Sequence, residues 1–340
     1  MGDIVHTLPA ATALRQAFPD ATIGWVVEER WAELLCTLPE PRSGLRSPRR
    51  PLVDRLHTVD TKKWRQSPFS TQTWERMAAS LSELRAPQYQ VAVDLQGAAR
   101  SALLARWSGA PVIYGSALPR ENIASMWYTQ QIIAGGTHVV EQNLSLAAAI
   151  APIPSELPAV EFPHDAAAEK QWDGWLRARD IGDLVLFNPG AGWGAKQWLP
   201  ERYGEVAAQL SRDGLRSLIN FGPGEDAMAQ AAEAASKGSA EAIGQSLTEL
   251  IALTRRAKLF IGGDTGPMHL AAAMHVPVVA LFGPTDPARN GPFGTRSVIL
   301  RSPESPTTHK RRAEPDAGLL SISVDQVVAA AHQLLGASRG

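Results

Sequence analysis

The sequence predicts an α/β protein made of two domains with parallel sheets. Its 340 residues suggest two domains at about 100–200 residues each. Short runs rich in β-branched residues alternate with helical patterns, which is typical of parallel sheets covered by helices on both faces. Four prolines between 151 and 163 exclude a helix or a central strand there, so we place a linker in that stretch.

The elements follow this alternation along the chain. In the first half we predict a helix from about Thr7 to Ala17, a strand over Ala21–Val27, a strand over Val91–Asp94 and a helix over Ala98–Trp107. In the second half we predict strands over 184–187, 217–221, 258–261 and 277–282, with helices at 225–236, 247–256 and 324–335. We therefore expect an N-terminal domain over 1–150, a linker over 151–164, a C-terminal domain over 165–315 and a terminal helical segment over 316–340.

The composition excludes several classes of protein. Lys and Arg number 33 against 34 Asp and Glu, which argues against a globally basic nucleic-acid binder. A single cysteine, Cys36, cannot form an intrachain disulfide or a cysteine-based zinc site. No run approaches the roughly 18 apolar residues of a membrane span, and no signal-peptide pattern opens the chain. We expect a cytoplasmic protein with no transmembrane segment and no nucleic-acid partner.

The strongest local motif follows the strand at 258–261. Gly262 and Gly263 lead into Asp264-Thr265-Gly266-Pro267 and then an alanine-rich helix that carries His269. The N–H groups and dipole at a helix start bind anions, and glycines allow a phosphate to approach the backbone. On spacing alone a simpler interpretation stays open, in which Asp264 and Thr265 only cap the helix and His269 is a helix histidine whose hydrogen bonds are satisfied within the protein.

A glycine-rich loop forms the second motif. Gly190, Gly192 and Gly194 precede Lys196 and suggest a dinucleotide fingerprint, but that fingerprint opens directly into a helix. Here Pro200 suits the first helical turn, so about eleven residues separate strand from helix. A flexible lid or phosphate clamp fits this length better. The alternative is a surface loop in which Lys196 is a solvated charge.

Two further features lie in the first half. Gly2-Asp3 stands immediately before the first helical pattern, where Asp3 is either a general base or an N-cap. The basic stretch Arg42–Arg65 holds eight Lys or Arg residues against Asp54 and Asp60, which fits an anionic substrate or lipid head group or a solvated loop. The sequence contains no Asp-x-Asp pair and no Gly-x-x-x-x-Gly-Lys-Ser/Thr motif, so diphosphate chemistry here would rely on a helix dipole and lysine rather than a divalent metal.

Six motifs together resemble glycosyltransferase family 9, the lipopolysaccharide heptosyltransferases. They are collinear over nearly the whole chain: Met1–Ala10, Asp94–Ser101, Pro189–Pro200, Gly222–Glu225, Asp264–Leu270 and Phe282–Pro287. The His-Thr-Leu-Pro-Ala form of the first motif, and Arg120-Glu121 before Ser125–Tyr128, look more like type I members than type II members.

The resemblance implies a GT-B fold, with two Rossmann-like domains facing across a cleft. It implies an inverting transfer of L-glycero-D-manno-heptose from ADP-heptose to Kdo of Kdo-lipid A, with no metal or cofactor, by a monomer at the cytoplasmic face of the inner membrane. The acceptor would bind the N-terminal domain and the donor the C-terminal domain. Three alternatives remain: a family 9 transferase with another acceptor, a non-catalytic nucleotide-sugar binding module, and a dinucleotide oxidoreductase.

The resemblance also implies residue roles. Asp3 would be the catalytic base, and Lys196 would stabilise the leaving diphosphate. Glu225 would bind the ribose, although Asp226 is an equally good register. The donor-binding set is Ala191, Gly192, Lys196, Glu225, Gln245, Asp264, Thr265, Gly266 and His269. The acceptor-binding set is His6, Lys62, Lys63, Arg65, Arg120 and His138.

The resemblance implies two structural features at the chain ends. Family members carry a buried strand before the Gly-Asp motif, and a strand needs about 5–6 residues, so the first sheet is expected to lack its first strand. A start codon assigned too late or a real truncation would explain this. The last helix is expected to pack back onto the N-terminal domain.

Overall fold

The chain forms two compact units. The computed structural model describes residues 1–67, 69–308 and 312–336. One unit comprises His6–His164, and the other comprises the chain from Asp165 onward together with Met1–Val5. The first five residues therefore group with the C-terminal unit, whereas the sequence assigns them to the N-terminal domain. Residues 151–164 contain no helix or strand.

Short helices and strands alternate through residues 1–164. The helices are α1 (Gly2–Ala17), α2 (Thr61–Gln66), α3 (Thr71–Arg85), α4 (Ala99–Trp107) and α5 (Val139–Ala148). The strands are β1 (Gly24–Glu28), β2 (Arg55–Val59), β3 (Val91–Asp94), β4 (Val112–Ser116) and β5 (Gln130–Ile132). The strand predicted over Ala21–Val27 begins at Gly24, three residues later than predicted. The strand predicted over Val91–Asp94 is confirmed.

The strands of the N-terminal unit form two separate parallel sheets within the described residues. One sheet pairs β1 with β2, and the other has the order β3-β4-β5. Helix α1 begins at Gly2 rather than at Thr7, so Asp3 lies inside its first turn and not before the helix as predicted. A buried carboxylate joins β3 to its neighbours, because Asp94 accepts hydrogen bonds from the Ser101 hydroxyl at 2.9 Å and the Tyr128 hydroxyl at 2.7 Å.

The C-terminal unit repeats the alternation with longer strands. Its helices are α6 (Ala166–Ala178), α7 (Pro200–Leu210), α8 (Asp226–Ala235), α9 (Leu247–Thr254), α10 (Gly266–Ala273), α11 (Pro287–Asn290), α12 (Ala317–Ser321) and α13 (Val324–Gly336). Its strands are β6 (Leu184–Asn188), β7 (Arg216–Phe221), β8 (Ala240–Gly244), β9 (Ala257–Gly263), β10 (Val278–Phe282) and β11 (Ser297–Arg301).

These six strands form one parallel sheet in the order β11-β10-β9-β6-β7-β8. Strands β6 and β10 are buried at every residue, because helices cover both faces of a parallel sheet. That burial explains the continuous apolar runs from which these strands are predicted. The carboxyl ends of all six strands lie along one edge, which is where open α/β sheets bind ligands.

Helix α13 packs within the C-terminal unit. Its buried residues Val327, Ala331 and Leu334 belong to the same core as Trp198 and Leu319, and it contacts α7, β9, β10 and β11. The prediction that this helix also packs back onto the N-terminal domain stays a prediction. The last four residues of the predicted segment 316–340 lie outside the described residues.

Candidate functional site

Two buried polar side chains, Asp264 and His269, meet the partly buried Lys196 at the carboxyl end of β9. The Lys196 ammonium donates to the Asp264 Oδ2 atom at 2.5 Å and to the Asp264 backbone oxygen at 3.4 Å. The other carboxylate oxygen, Oδ1, lies 3.1 Å from His269 Nε2. The Lys196 side chain is only 14% exposed, so the interpretation of Lys196 as a solvated charge is wrong.

Asp264 is held in its ionised form. Burial alone would raise the pKa of this carboxyl, but the hydrogen bond and charge of His269, together with Lys196, outweigh burial and hold the pKa well below its usual range. The Lys196 ammonium also lies 4.6 Å from the centroid of the Trp193 ring, which is cation–π distance. The site therefore combines a fixed anion with a lysine whose position is determined on two sides.

The start of helix α10 lies beside this cluster. Thr265 is the N-cap residue by backbone position, yet its side chain makes no capping hydrogen bond, and its buried Oγ1 atom has no hydrogen-bond partner among the described residues. A side-chain cap therefore does not account for Thr265, whereas His269 does find a partner within the protein, the Asp264 carboxylate. The first turn of α10 leaves N–H groups that can bind an anion, and the Thr265 hydroxyl adds a donor there.

The glycine loop connects β6 to α7. Strand β6 ends at Asn188 and α7 begins at Pro200, which confirms the long loop and excludes the dinucleotide fingerprint. The Glu225 carboxylate, at the start of α8, lies directly against Gly190. A Cβ atom at Gly190 would lie 2.2 Å from Glu225 Oε2, so a larger residue at this position would displace the Glu225 carboxylate. Gln197 Nε2 donates to the Ala191 oxygen at 3.2 Å, which fixes the middle of the loop.

Gln245 lies at the end of β8, and sequence reasoning missed the two residues that hold it. Its Nε2 donates to Asn220 Oδ1 at 3.1 Å, and Asn220 Nδ2 donates to Asn188 Oδ1 at 2.6 Å. The available signal was an asparagine in the middle of the apolar run Ser217–Phe221. Thr285 was also missed. Its Oγ1 atom is buried without a hydrogen-bond partner, beyond the end of β10.

Met1 and Gly2, which group with the C-terminal unit, lie against helix α10. A Cβ atom at Gly2 would lie 3.0 Å from His269 Cδ2, and the Met1 side chain packs against Gly266. Asp3 is exposed. Asp3 directly follows Gly2, the residue that lies against His269 of the Lys196, Asp264 and His269 cluster.

The basic stretch at 42–65 is not one uniform patch. Arg50 is buried and donates to backbone oxygens of Val53 and Leu45 at 3.1 and 2.7 Å, while Arg42 binds Glu29 at 2.5 Å. These two arginines stabilise the fold of the segment. Helix α2 carries three exposed residues of the stretch, Lys62, Lys63 and Arg65, with Lys63 paired to Asp60 at 2.7 Å.

The other predicted acceptor residues lie elsewhere in the N-terminal unit. Arg120 is exposed. His138 is buried and caps α5, where its Nδ1 accepts a hydrogen bond from the Val140 N–H at 3.1 Å. The His6 and His138 rings meet edge to face, with centroids 5.7 Å apart. His6 and His138 therefore form one cluster, in which His138 also has a structural role.

No group of three or more His, Cys, Asp or Glu side chains is arranged to hold a metal ion among residues 1–67, 69–308 and 312–336. Over the same residues, no helix is both long enough and apolar enough to cross a bilayer.

Comparison with known proteins identifies relatives over most of the chain. The profile described as glycosyltransferase family 9 (heptosyltransferase) matches residues 77–319. Lipopolysaccharide heptosyltransferase 1 of Pseudomonas aeruginosa is 29% identical over 315 residues, covering 89% of this chain and 81% of the relative. Lipopolysaccharide heptosyltransferase 1 of Salmonella typhimurium is 30% identical over 315 residues, covering 89% of this chain and 92% of the relative.

A solved structure confirms the predicted fold. The structure of Escherichia coli heptosyltransferase WaaC with ADP superposes with a TM-score of 0.78 at 27% identity, covering 98% of this chain and 97% of that chain. The α/β architecture with parallel sheets is therefore the GT-B fold that the sequence motifs implied.

Proposed function

Because the chain belongs to glycosyltransferase family 9, the heptosyltransferases, we propose that it transfers L-glycero-D-manno-heptose from ADP-heptose to a Kdo residue of Kdo-lipid A. This is the type I reaction of lipopolysaccharide inner-core synthesis, and it agrees with the names of the relatives reported above. The bound nucleotide in the superposed structure is ADP, which supports an adenosine diphosphate sugar as donor.

The Lys196, Asp264 and His269 cluster is the observation that supports this function most strongly. Cleavage of the bond between the sugar and the diphosphate leaves negative charge on ADP, and positive groups placed in advance stabilise that charge. Lys196 is fixed by Asp264, and the N–H groups at the start of α10 lie next to it. Thr265 supplies a hydroxyl that has no hydrogen-bond partner in the part of the chain that the structure describes. Ala191, Gly192 and Glu225 would hold the rest of the donor.

Asp3 is the proposed base. The acceptor hydroxyl oxygen would attack the anomeric carbon while Asp3 takes its proton, and the bond to the diphosphate would break to release ADP. Attack opposite the leaving group inverts the anomeric centre. A carboxylate near the reacting carbon also stabilises the positive charge that develops there. The position of Gly2 against His269 supports this role, because it brings Asp3 close to the donor cluster.

The acceptor is proposed to bind the N-terminal unit. Kdo carries a carboxylate and lipid A carries phosphates, and the exposed α2 residues Lys62, Lys63 and Arg65 together with Arg120 would pair with these anions. His6 and His138 would complete this surface. Because Lys196 and the α10 N-terminus supply positive charge, we propose that the transfer needs no divalent cation and no cofactor.

The direct test is release of ADP from ADP-heptose with and without Kdo-lipid A, in buffer containing a metal chelator. We expect acceptor-dependent release of ADP with the chelator present. Release that requires added Mg²⁺ would refute metal independence, and no release in either condition would refute the proposed function. A panel of heptosylated acceptors separates the type I reaction from transfer to another acceptor.

The variants Asp3→Asn and Asp3→Ala test the base. Both are expected to lose turnover by at least about a hundredfold while calorimetry still shows ADP binding, since Asp3 does not contact the nucleotide in this mechanism. The matched control is Asp20→Asn, an exposed carboxylate beyond the end of α1. Full activity of either Asp3 variant would remove Asp3 from the mechanism.

A further inference from the structure

Two loops meet at the carboxyl edge of the β3-β4-β5 sheet in the N-terminal unit. One loop follows β3 and contains Gly97, and the other follows β4 and contains Arg120 and Glu121. The Gly97 backbone oxygen accepts a hydrogen bond from the Glu121 N–H at 2.9 Å. The Glu121 Oε2 atom accepts a second hydrogen bond from the Ala99 N–H at 3.0 Å, at the start of α4. The residue next to Arg120 is therefore held through both its backbone and its side chain.

Gly97 allows the second loop to approach this closely. Its φ is +66°, in the left-handed region that residues with a side chain disfavour. A Cβ atom at this position would lie 2.9 Å from the Arg120 backbone nitrogen and 3.2 Å from the Pro119 Cα atom. Both neighbours are backbone atoms, which cannot turn aside as the end of a flexible side chain can. A side chain at position 97 would therefore push the backbone of Pro119 and Arg120 outward.

The buried Asp94 carboxylate fixes the loop that carries Gly97. Its Oδ1 atom accepts hydrogen bonds from the backbone N–H groups of Gln96 at 2.9 Å and Gly97 at 3.1 Å. Its Oδ2 atom accepts from the hydroxyls of Ser101 at 2.9 Å and Tyr128 at 2.7 Å. Four donors match the acceptor capacity of two carboxylate oxygens. Because Tyr128 comes after the second loop along the chain, this one carboxylate joins both loops.

The fixed backbone carries an exposed arginine, Arg120. An arginine recognises a carboxylate or phosphate through two parallel hydrogen bonds of defined geometry. Ordering flexible groups on binding costs free energy, so a backbone that is ordered in advance favours such a pair. A displaced backbone would instead move the whole guanidinium group away from its anion.

We propose that Gly97 is a positioning residue for the acceptor. Its close approach to the backbone of Pro119 and Arg120 places the Arg120 guanidinium to pair with an oxyanion of the acceptor, a carboxylate or a phosphate. Asp94 and Glu121 support the same placement, because they hold the two loops together. The inference rests on the proposed function, which makes the acceptor a phosphorylated lipid that carries a sugar acid.

Steady-state kinetics of the full chain with Gly97→Ala test this placement. We expect the KM for Kdo-lipid A to rise about tenfold or more, while kcat and the KM for ADP-heptose change by less than about twofold. The same measurement with acceptor from which the phosphates have been removed identifies the anion. The rise in KM persists if Arg120 pairs with the carboxylate and disappears if Arg120 pairs with a phosphate.

The matched control is Gly109→Ala. Gly109 also has a positive φ, +82°, but the nearest atom to a Cβ at this position is Arg85 Cγ at 4.0 Å, an ordinary contact. This variant introduces the same kind of backbone strain without moving Arg120. Its KM values for both substrates are therefore expected to equal those of the wild type.

Two variants of Glu121 test the same placement without backbone strain. Glu121→Ala removes the acceptor of the Ala99 N–H and is expected to raise the KM for Kdo-lipid A. Glu121→Gln removes the same negative charge but keeps an acceptor oxygen, so it is expected to restore a KM close to that of the wild type. Equal KM values in these two variants would contradict the role of the hydrogen bond to α4.

The variant Arg120→Ala decides whether Gly97 acts through Arg120. In that background Gly97→Ala is expected to raise the acceptor KM by less than about twofold, because the side chain that it displaces is already absent. A rise of about tenfold in both backgrounds, or no rise when Gly97→Ala is made in the wild type, would overturn this inference alone. No transfer to Kdo-lipid A by the wild type would overturn the proposed function as well.

Discussion

At the scale of single residues, the site depends on one buried carboxylate with two partners. Asp264 binds Lys196 through one oxygen and His269 through the other. These partners lie 68 and 5 residues away along the chain, so the motif at 264–269 could be found from the sequence but its lysine partner could not. The pairing of Lys196 with Asp264 is a consequence of β6 and β9 being neighbours in the sheet.

Lys196→Ala tests the stabilisation of the leaving group. We expect kcat to fall by about a hundredfold or more, the size of effect seen when one charge-stabilising donor is removed. The matched control is Lys258→Ala, because the Lys258 ammonium also lies 2.5 Å from a carboxylate, that of Asp183, but on the exposed surface. ADP release in the presence of acceptor measures both variants. A kcat within twofold of the wild type in Lys196→Ala would contradict the assignment.

Asp264→Asn tests the lowered pKa. The unfolded carboxyl titrates near 3.8 and the folded one lower, so the stability that Asp264 contributes is fully present above about pH 4 and is lost as the pH falls towards the folded pKa. Below about pH 4 the advantage of the wild type over Asp264→Asn is expected to shrink by about 1.4 kcal/mol per pH unit. Urea unfolding from pH 5 to pH 3 measures this difference. A constant difference over that range would show that the pKa is not lowered.

At the scale of elements, the two units differ in how well their sequences predict them. Strands β6 and β10 are buried at every residue and appear as uninterrupted apolar runs. Helix α1 begins at Gly2, five residues earlier than predicted, and includes Pro9. Glycine and proline are poor helix formers, so helix propensity does not predict this extension. Tertiary packing overrides the propensity of these two residues. Asn220 illustrates the limit within the site, since a polar residue in an apolar strand signals a function but does not say which partner it has.

Leu334→Ala tests the packing of α13. Leu334 is buried in the core of the C-terminal unit, so its truncation is expected to destabilise the protein by about 2–4 kcal/mol. Gln333→Ala, on the exposed side of the same helix, is expected to change stability by less than about 0.5 kcal/mol. Urea unfolding with and without ADP reports on the unit that binds the nucleotide. Equal effects of the two variants would contradict this packing.

At the scale of the whole molecule, the net charge of −1 hides a local surface of exposed aromatic and basic side chains. Phe69 is 96% exposed and Trp74 is 60% exposed, and both lie near α2 with its exposed Lys62 and Arg65. Exposed aromatic and basic side chains together favour the interface of an anionic bilayer. The proposed lipid acceptor explains why a protein with 33 basic and 34 acidic residues would carry such a surface.

The double variant Phe69→Ser with Trp74→Ser tests this surface. We expect weaker sedimentation with vesicles containing anionic phospholipid, and no change with vesicles of zwitterionic lipid alone. Phe18→Ser is the control, because Phe18 is also exposed, at 42%, but lies at the end of α1. Binding of the double variant equal to that of Phe18→Ser would contradict a role in membrane contact.

The two sheets of the N-terminal unit carry a consequence for the behaviour of the protein in solution. Strand β1 pairs only with β2, and β3 pairs only with β4, among the described residues. Each strand therefore has one side that pairs with no other strand of the described residues, and unpaired strand sides can act as templates for self-association. We expect this unit to set the upper limit of concentration at which the purified protein stays monodisperse.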